Sequence, residues 1–138
     1  MHKLSTLIAA AALLGAPLAH AADLTVEVAG LQDAQGQVLV ALYDRADTFL
    51  KQPLQATMVA ARPGAVQVVL HDLPAGDYAL SAFQDKNGNR TLDRNPVGMP
   101  IEPYGFSNDA VGSFGAPSFA QSQLHVDAAG ARTTIHLR

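Results

Sequence analysis

Cysteine and tryptophan are both absent from the 138 residues of this chain. Without cysteine the chain has no disulfide, no thiolate metal ligand and no thiol nucleophile, so its stability must come from packing or from a bound ion. It has no basic stripe or cluster, which argues against nucleic acid or anionic lipid as a main partner. Helical periodicity is nearly absent beyond the first twenty residues, which argues against a helical fold.

The amino terminus has the pattern of a secretory signal peptide. Lys3 supplies a positive charge, residues 4–14 are mostly apolar, and Ala19-His20-Ala21 is a small-x-small cleavage site. The apolar run is well short of the ~20 residues that a membrane-spanning helix needs. We therefore predict that residues 1–21 are cleaved and that the protein is periplasmic, with secretion beyond the periplasm left open.

Residues 22–138 are predicted to form one domain with no membrane span. They carry eight basic and twelve acidic side chains, a net charge of −4 with neutral histidines. A domain of this size buries roughly two-thirds of the surface that its unfolded chain exposes, which is enough for an independent core. No internal repeat or linker divides the segment.

Apolar residues alternate with a period of two in six short segments, the pattern of strands with one face towards a core. Turn signals such as DAQGQ and LPAGDY separate them. The segments are 24–28, 37–44, 66–73, 77–83, 122–127 and 132–137. They predict an all-β fold, an antiparallel Greek-key β-sandwich of about seven strands with Ig-like architecture. A small barrel is the alternative.

The long middle of the chain, from about Gln84 to Ser118, has no sustained periodicity. A compact domain seldom carries so long an irregular connection without a use for it, so a functional site is expected here. Its first part, DKNGNRTLDRN, places oxygen donors at alternate positions, as a calcium loop does. The predicted ligands are Asp85, Asn87, Asn89, the Thr91 carbonyl, Asp93 and, from further along the chain, Glu102.

Two departures from an EF-hand loop qualify this hypothesis. The sixth position is Arg90 instead of glycine, and the twelfth is Pro96 instead of a bidentate glutamate. Few carboxylates imply weak Ca²⁺ binding, on the order of 10⁻⁴ to 10⁻³ M. The alternative is a plain turn, because Asn87-Gly88 is a strong hairpin signal and Asp and Asn bond their own backbone.

A second candidate surface follows in EPYGFSND. Exposed loop aromatics stack on sugar rings or grip peptides, so Tyr104, Phe106, Ser107 and Asn108 are candidates for binding an unknown protein or carbohydrate ligand. The alternative is that the aromatics fill one open end of the sandwich. Neither a nucleophile-elbow motif nor a zinc signature accompanies them, so no catalytic residue is assigned.

The combined motifs resemble the DUF2141 family of exported bacterial proteins. They are an LP-G-YA turn and strand at 73–79, a D-N-N-LD-N loop at 85–95, a G-P-E-YGFSN segment at 98–108 and a G-P-SF segment at 115–119. The resemblance implies a transthyretin-like β-sandwich and, because the family has no established activity, transfers no catalytic residue.

The expected function is therefore an exported, non-enzymatic binding or accessory module with a calcium-stabilised loop. Two alternatives remain open. The first is a structural or adhesive module whose loop is a plain turn and cap and whose edge strands bind by strand addition. The second is a hydrolase or carbohydrate-active enzyme that uses Glu102 and the Asp85 loop.

Overall fold

A computed structural model describes residues 21–138, and these residues fold almost entirely as β-structure. The predicted signal peptide lies outside the described residues except for Ala21. The strands are β1 (Ala22–Leu31), β2 (Gln37–Tyr43), β3 (Gln55–Ala60), β4 (Gly64–Leu73), β5 (Gly76–Asp85), β6 (Tyr104–Phe106), β7 (Leu124–Val126) and β8 (Ala131–His136). A 3-10 turn (Ser107–Asp109) and the one-turn helix α1 (Phe119–Ser122) complete them.

The strands form two sheets that pack face to face. One sheet has the order β4-β1-β8, and the other has the order β3-β2-β5-β6 with β7 paired to the start of β5. The predicted β-sandwich is confirmed, with eight strands. All pairings between these strands are antiparallel except β1 with β8, which runs parallel. Alternation identifies which face of a strand is buried but carries no information about strand direction.

The core lies between the sheets and consists of the inward phase of each alternating segment. Leu24, Val26 and Val28 of β1 are fully buried, as are Val38 and Val40 of β2. Each such side chain contributes ~1.5–3 kcal/mol of burial free energy, which is the main source of stability in a domain without disulfides. None of the helices in the described part of the chain is long and apolar enough to cross a membrane.

A second apolar cluster covers the outer face of the β2–β5–β6 sheet, on the opposite side from the core. It joins Tyr43, Phe49, Ala79 and Phe106, and Phe119 packs against it. The ring of Phe49 meets Tyr43 edge-on at 5.2 Å between centroids and meets Phe119 at 5.9 Å. This cluster ties the 3-10 turn and α1 to β5.

Candidate functional site

The candidate calcium loop begins at Asp85, the last residue of β5, and returns to the sheet at β6. The Asp85 side chain is buried, only 2% exposed. Its Oδ1 accepts the N–H of Gly88 at 3.1 Å, and its Oδ2 accepts the N–H of Arg90 at 2.8 Å. The carboxylate of Asp85, the first predicted ligand, therefore lies inside the coil of the loop and accepts the backbone N–H groups of its fourth and sixth positions.

The backbone of this coil is left-handed at two positions. Gly88 has φ of 73°, and Arg90 has φ of 61°. Position six is where a calcium loop of this type carries an invariant glycine for its sharp turn. Arg90 adopts the left-handed conformation there in spite of its side chain, at a cost of about 1–2 kcal/mol. The loop thus makes the sharp turn at its sixth position without the glycine that a calcium loop carries there.

Three further predicted ligands converge at one place. The Nδ2 groups of Asn87 and Asn89 donate to the two carboxylate oxygens of Asp93 at 2.6 and 2.7 Å. The Oδ1 of Asn87 accepts the N–H of Asn89 at 3.2 Å, and that of Asn89 accepts the N–H of Thr91 at 3.1 Å. Within residues 21–138 no three acidic or histidine side chains group as a metal site, so an ion here would also need amide or carbonyl oxygens.

Glu102 folds back onto the loop and fastens it at both ends. The side chain is buried, and its Oε2 accepts the N–H of Lys86 at 2.7 Å. Its Oε1 accepts the N–H of Asp93 at 2.9 Å. The Glu102 carboxylate therefore accepts the backbone N–H groups of the second and ninth loop positions. It makes no hydrogen bond to the side chain of another predicted calcium ligand.

The turn between β1 and β2 packs against the start of this loop, a contact that the sequence analysis did not predict. Asp33 accepts the side-chain amide of Gln84 at 2.8 Å and the ammonium of Lys86 at 3.2 Å. Hydrogen bonds from the backbone N–H of Gln35, from Gln84 and from Lys86 hold the pKa of Asp33 below its usual value. Asp33 lies 51 residues from Gln84 and 53 from Lys86 in the chain, so no local motif predicts these two contacts.

The second candidate surface is mostly buried. Phe106 is 8% exposed, and Ser107 is fully buried. The Ser107 hydroxyl accepts the N–H of Leu80 at 2.9 Å and donates to the Ser122 carbonyl. Of the four predicted ligand-binding residues, Tyr104 is half-buried and Asn108 alone is well exposed. The two aromatics therefore pack on the outer face of the β2–β5–β6 sheet and not at an open end of the sandwich.

Asn108 and Asp109 fasten the same segment to neighbouring elements. The Nδ2 of Asn108 donates to the carbonyl of Gln123 at 2.7 Å. Asp109 accepts both the backbone N–H of His136 at 2.9 Å and its ring Nδ1 at 2.8 Å. Burial raises the pKa of Asp109, but these hydrogen bonds outweigh that effect and hold the pKa below its usual value. These contacts fasten the segment to β8 and to the residue that follows α1.

Comparison with known proteins gives one match. A family model described as an uncharacterized protein conserved in bacteria, DUF2141, matches residues 26–135. No curated protein and no solved structure matches the chain. The match covers most of the sandwich and the whole candidate loop.

Proposed function

The chain belongs to the DUF2141 family, and because that family is described only as uncharacterized, we propose a function from the loop geometry. The protein is an exported, non-enzymatic β-sandwich module whose Asp85–Asp93 loop binds Ca²⁺ and becomes a rigid surface for an unknown protein or carbohydrate partner. The pattern of residues 1–21 supports export to the periplasm.

The observation that carries the calcium proposal is the coil around Asp85. Its carboxylate bonds the N–H of the sixth position, and Arg90 at that position is left-handed although it is not glycine. A plain hairpin turn at Asn87-Gly88 would need two left-handed residues in succession, not a coil that extends to the sixth position. This course of the backbone supports the calcium proposal over a plain two-residue hairpin turn.

The side chains at the centre support the same proposal. Asn87, Asn89 and Asp93 already meet at hydrogen-bonding distance. To bind an ion, the two amides would rotate about their soft terminal torsions and turn their oxygens towards the Asp93 carboxylate. This rotation would break the bonds that these oxygens accept from the N–H groups of Asn89 and Thr91, the bonds that the plain-turn alternative expects. Ca²⁺ prefers such a set of carboxylate, amide and backbone carbonyl oxygens.

The hydrolase alternative has less support. Both Glu102 oxygens accept a backbone N–H, as both Asp85 oxygens do, and among the described residues no side chain makes a hydrogen bond to Glu102 that would assign it a catalytic partner. Two surface concavities of about 670 and 260 Å³ are lined by residues of β1, β8 and neighbouring turns, and neither includes a residue of the loop. A substrate would have no cleft beside Glu102 among these concavities.

The test is thermal unfolding in Ca²⁺ and in chelator. With a Kd of about 1 mM, 10 mM Ca²⁺ stabilises the folded state by ~1.4 kcal/mol. For a domain of this size that raises Tm by about 5 °C. Asp93→Ala should abolish the rise. Asp127→Ala is the matched control, because Asp127 bonds the N–H of Ala129 in a turn outside the loop.

The control variant should respond to Ca²⁺ as the wild type does. Equal midpoints for the wild type in Ca²⁺ and in chelator would contradict the calcium proposal and leave the loop as a plain turn. A rise that persists in Asp93→Ala would place the ion elsewhere.

A further inference from the structure

One of the four asparagines of this chain, Asn87, precedes a glycine. The other three precede Arg90, Pro96 and Asp109. Asparagine is thermolabile because the backbone nitrogen of the next residue can attack its side-chain amide. Glycine has no Cβ to hinder that approach, whereas proline has no N–H proton to lose. The sequence therefore singles out Asn87 for this reaction.

The reaction is spontaneous deamidation, and water is its only co-reactant. The Gly88 nitrogen forms a bond to Cγ of Asn87, the bond from Cγ to Nδ2 breaks, and Nδ2 leaves as ammonia with the proton from Gly88. The product is a cyclic succinimide. Water then opens the ring at either carbonyl and gives aspartate or isoaspartate, in which the backbone runs through the side chain. In total, one side-chain amide and one water become one carboxylic acid and one ammonia.

The reacting groups are accessible to water in the folded protein. Asn87 and Gly88 are both exposed. A Cβ built at Gly88 would meet no atom of the described residues within 4 Å apart from its neighbours in the chain. Water can therefore reach the succinimide and open it without unfolding of the sandwich.

Three hydrogen bonds occupy these groups while the loop is closed. The Gly88 N–H donates to Oδ1 of Asp85 at 3.1 Å. The Nδ2 of Asn87 donates to Oδ2 of Asp93 at 2.6 Å, and its Oδ1 accepts the N–H of Asn89 at 3.2 Å. The attack must remove the Gly88 proton and turn the amide, so it must break these bonds. The closed loop therefore opposes the reaction.

We propose that Asn87 is a site of spontaneous deamidation, that Asp85 and Asp93 slow the reaction in the closed loop, and that the product opens the loop. An aspartate side chain at this position has no N–H to donate, and its charge would face Asp93 where a donor now lies at 2.6 Å. The isoaspartate product lengthens the backbone by one carbon and displaces the Gly88 N–H from Asp85. Neither step involves an ion, so this proposal is independent of the calcium proposal.

Peptide mass spectrometry of the full chain, aged at neutral pH in chelator, measures the rate at each asparagine. In guanidinium chloride the loop is open, so Asn87 should deamidate faster than Asn89. Asn95 should stay intact, because Pro96 has no N–H. In the folded wild type the rate at Asn87 should be at least about tenfold lower, because the hydrogen bonds of the closed loop must break first.

Asp93→Ala separates the effect of this carboxylate from that of unfolding. The folded variant lacks the acceptor for Nδ2 of Asn87 and should deamidate there about fivefold faster than the folded wild type. Asp127→Ala is the matched control. Asp127 bonds the N–H of Ala129 in a turn outside the loop, so this variant should keep the wild-type rate.

Asn87→Asp is a stable copy of one product and tests whether that product opens the loop. In chelator it should lower Tm by about 4 °C, through the lost hydrogen bond and the repulsion from Asp93. Asn95→Asp is the control, because it adds the same charge to the loop. It keeps the acceptor oxygen that bonds the N–H groups of Val97 and Met99, so its Tm should equal that of the wild type.

Three outcomes would overturn the proposal. The first is deamidation at Asn87 no faster than at Asn89 in guanidinium chloride, since glycine would then not select the site. The second is an equal rate at Asn87 in the folded wild type and in folded Asp93→Ala, since the carboxylate would then not slow the reaction. The third is an Asn87→Asp variant that melts with the wild type, since the product would then leave the loop closed.

Discussion

Replacing Glu102 by glutamine tests whether this carboxylate holds the loop closed. Glutamine has the same shape but only one acceptor oxygen, so either the Lys86 or the Asp93 N–H must face an NH₂ group. One hydrogen bond to a charged group is lost, worth ~1.5–3 kcal/mol. Lys86 and Asp93 are half-buried, so water can replace part of the lost hydrogen bond. We therefore expect Glu102→Gln to lower the free energy of unfolding by ~2 kcal/mol.

Urea denaturation measures this loss, and the matched control is Glu27→Gln. Glu27 is exposed on β1 and receives no hydrogen bond from the residues that the structure describes, so its change should stay within about 0.5 kcal/mol. The measurement should be made in chelator, so that any bound Ca²⁺ does not contribute. If Glu102→Gln costs no more than Glu27→Gln, the two hydrogen bonds do not hold the loop, and the reasoning is refuted.

Three further changes test the loop backbone, its packing and the docking of β8. Arg90→Gly should stabilise the protein by about 0.5–1 kcal/mol in urea denaturation, because glycine relieves the left-handed strain, whereas Arg90→Ala should not. Gly36→Ala should lower Tm by more than 10 °C, because a Cβ there would lie 1.9 Å from the Asp85 carbonyl oxygen at a φ of 71°. Asp109→Asn should cost less than about 1 kcal/mol at pH 7: the hydrogen bonds that lower the pKa of Asp109 stabilise its charged form, but its side chain is 37% exposed and water screens the interaction. This stabilisation is fully present above the pKa of Asp109 in the unfolded chain, ~4, and is lost as pH falls through its lower pKa in the folded protein. The free energies of unfolding of Asp109→Asn and wild type should therefore converge in acid.

The buried faces of the strands could be predicted because successive side chains of a strand point to opposite faces, so apolar residues at every second position mark the buried face. Leu24, Val26 and Val28 alternate with polar residues, and all three are fully buried. The parallel pairing of β8 with β1 could not be predicted in this way, because a parallel neighbour and an antiparallel one require the same alternation.

The local parts of the candidate site could also be read from spacing. The alternate spacing brings Asn87, Asn89 and Asp93 together, but the amides meet Asp93 through their nitrogens, so the predicted convergence of oxygens on an ion stays a prediction. The contact of Asp33 with Lys86 depends on how the β1–β2 turn packs under the loop, and no local pattern encodes it. Burial of Ser107 depends likewise on α1, which begins twelve residues later.

The calcium proposal is tested most directly by an anomalous difference map from crystals grown in Ca²⁺. A bound ion should give a peak about 2.3–2.6 Å from oxygens of Asp85, Asp93 and the Thr91 carbonyl, with the oxygens of the Asn87 and Asn89 amides turned towards it. A map without a peak in the loop, with both amides still donating to Asp93, would contradict the proposal.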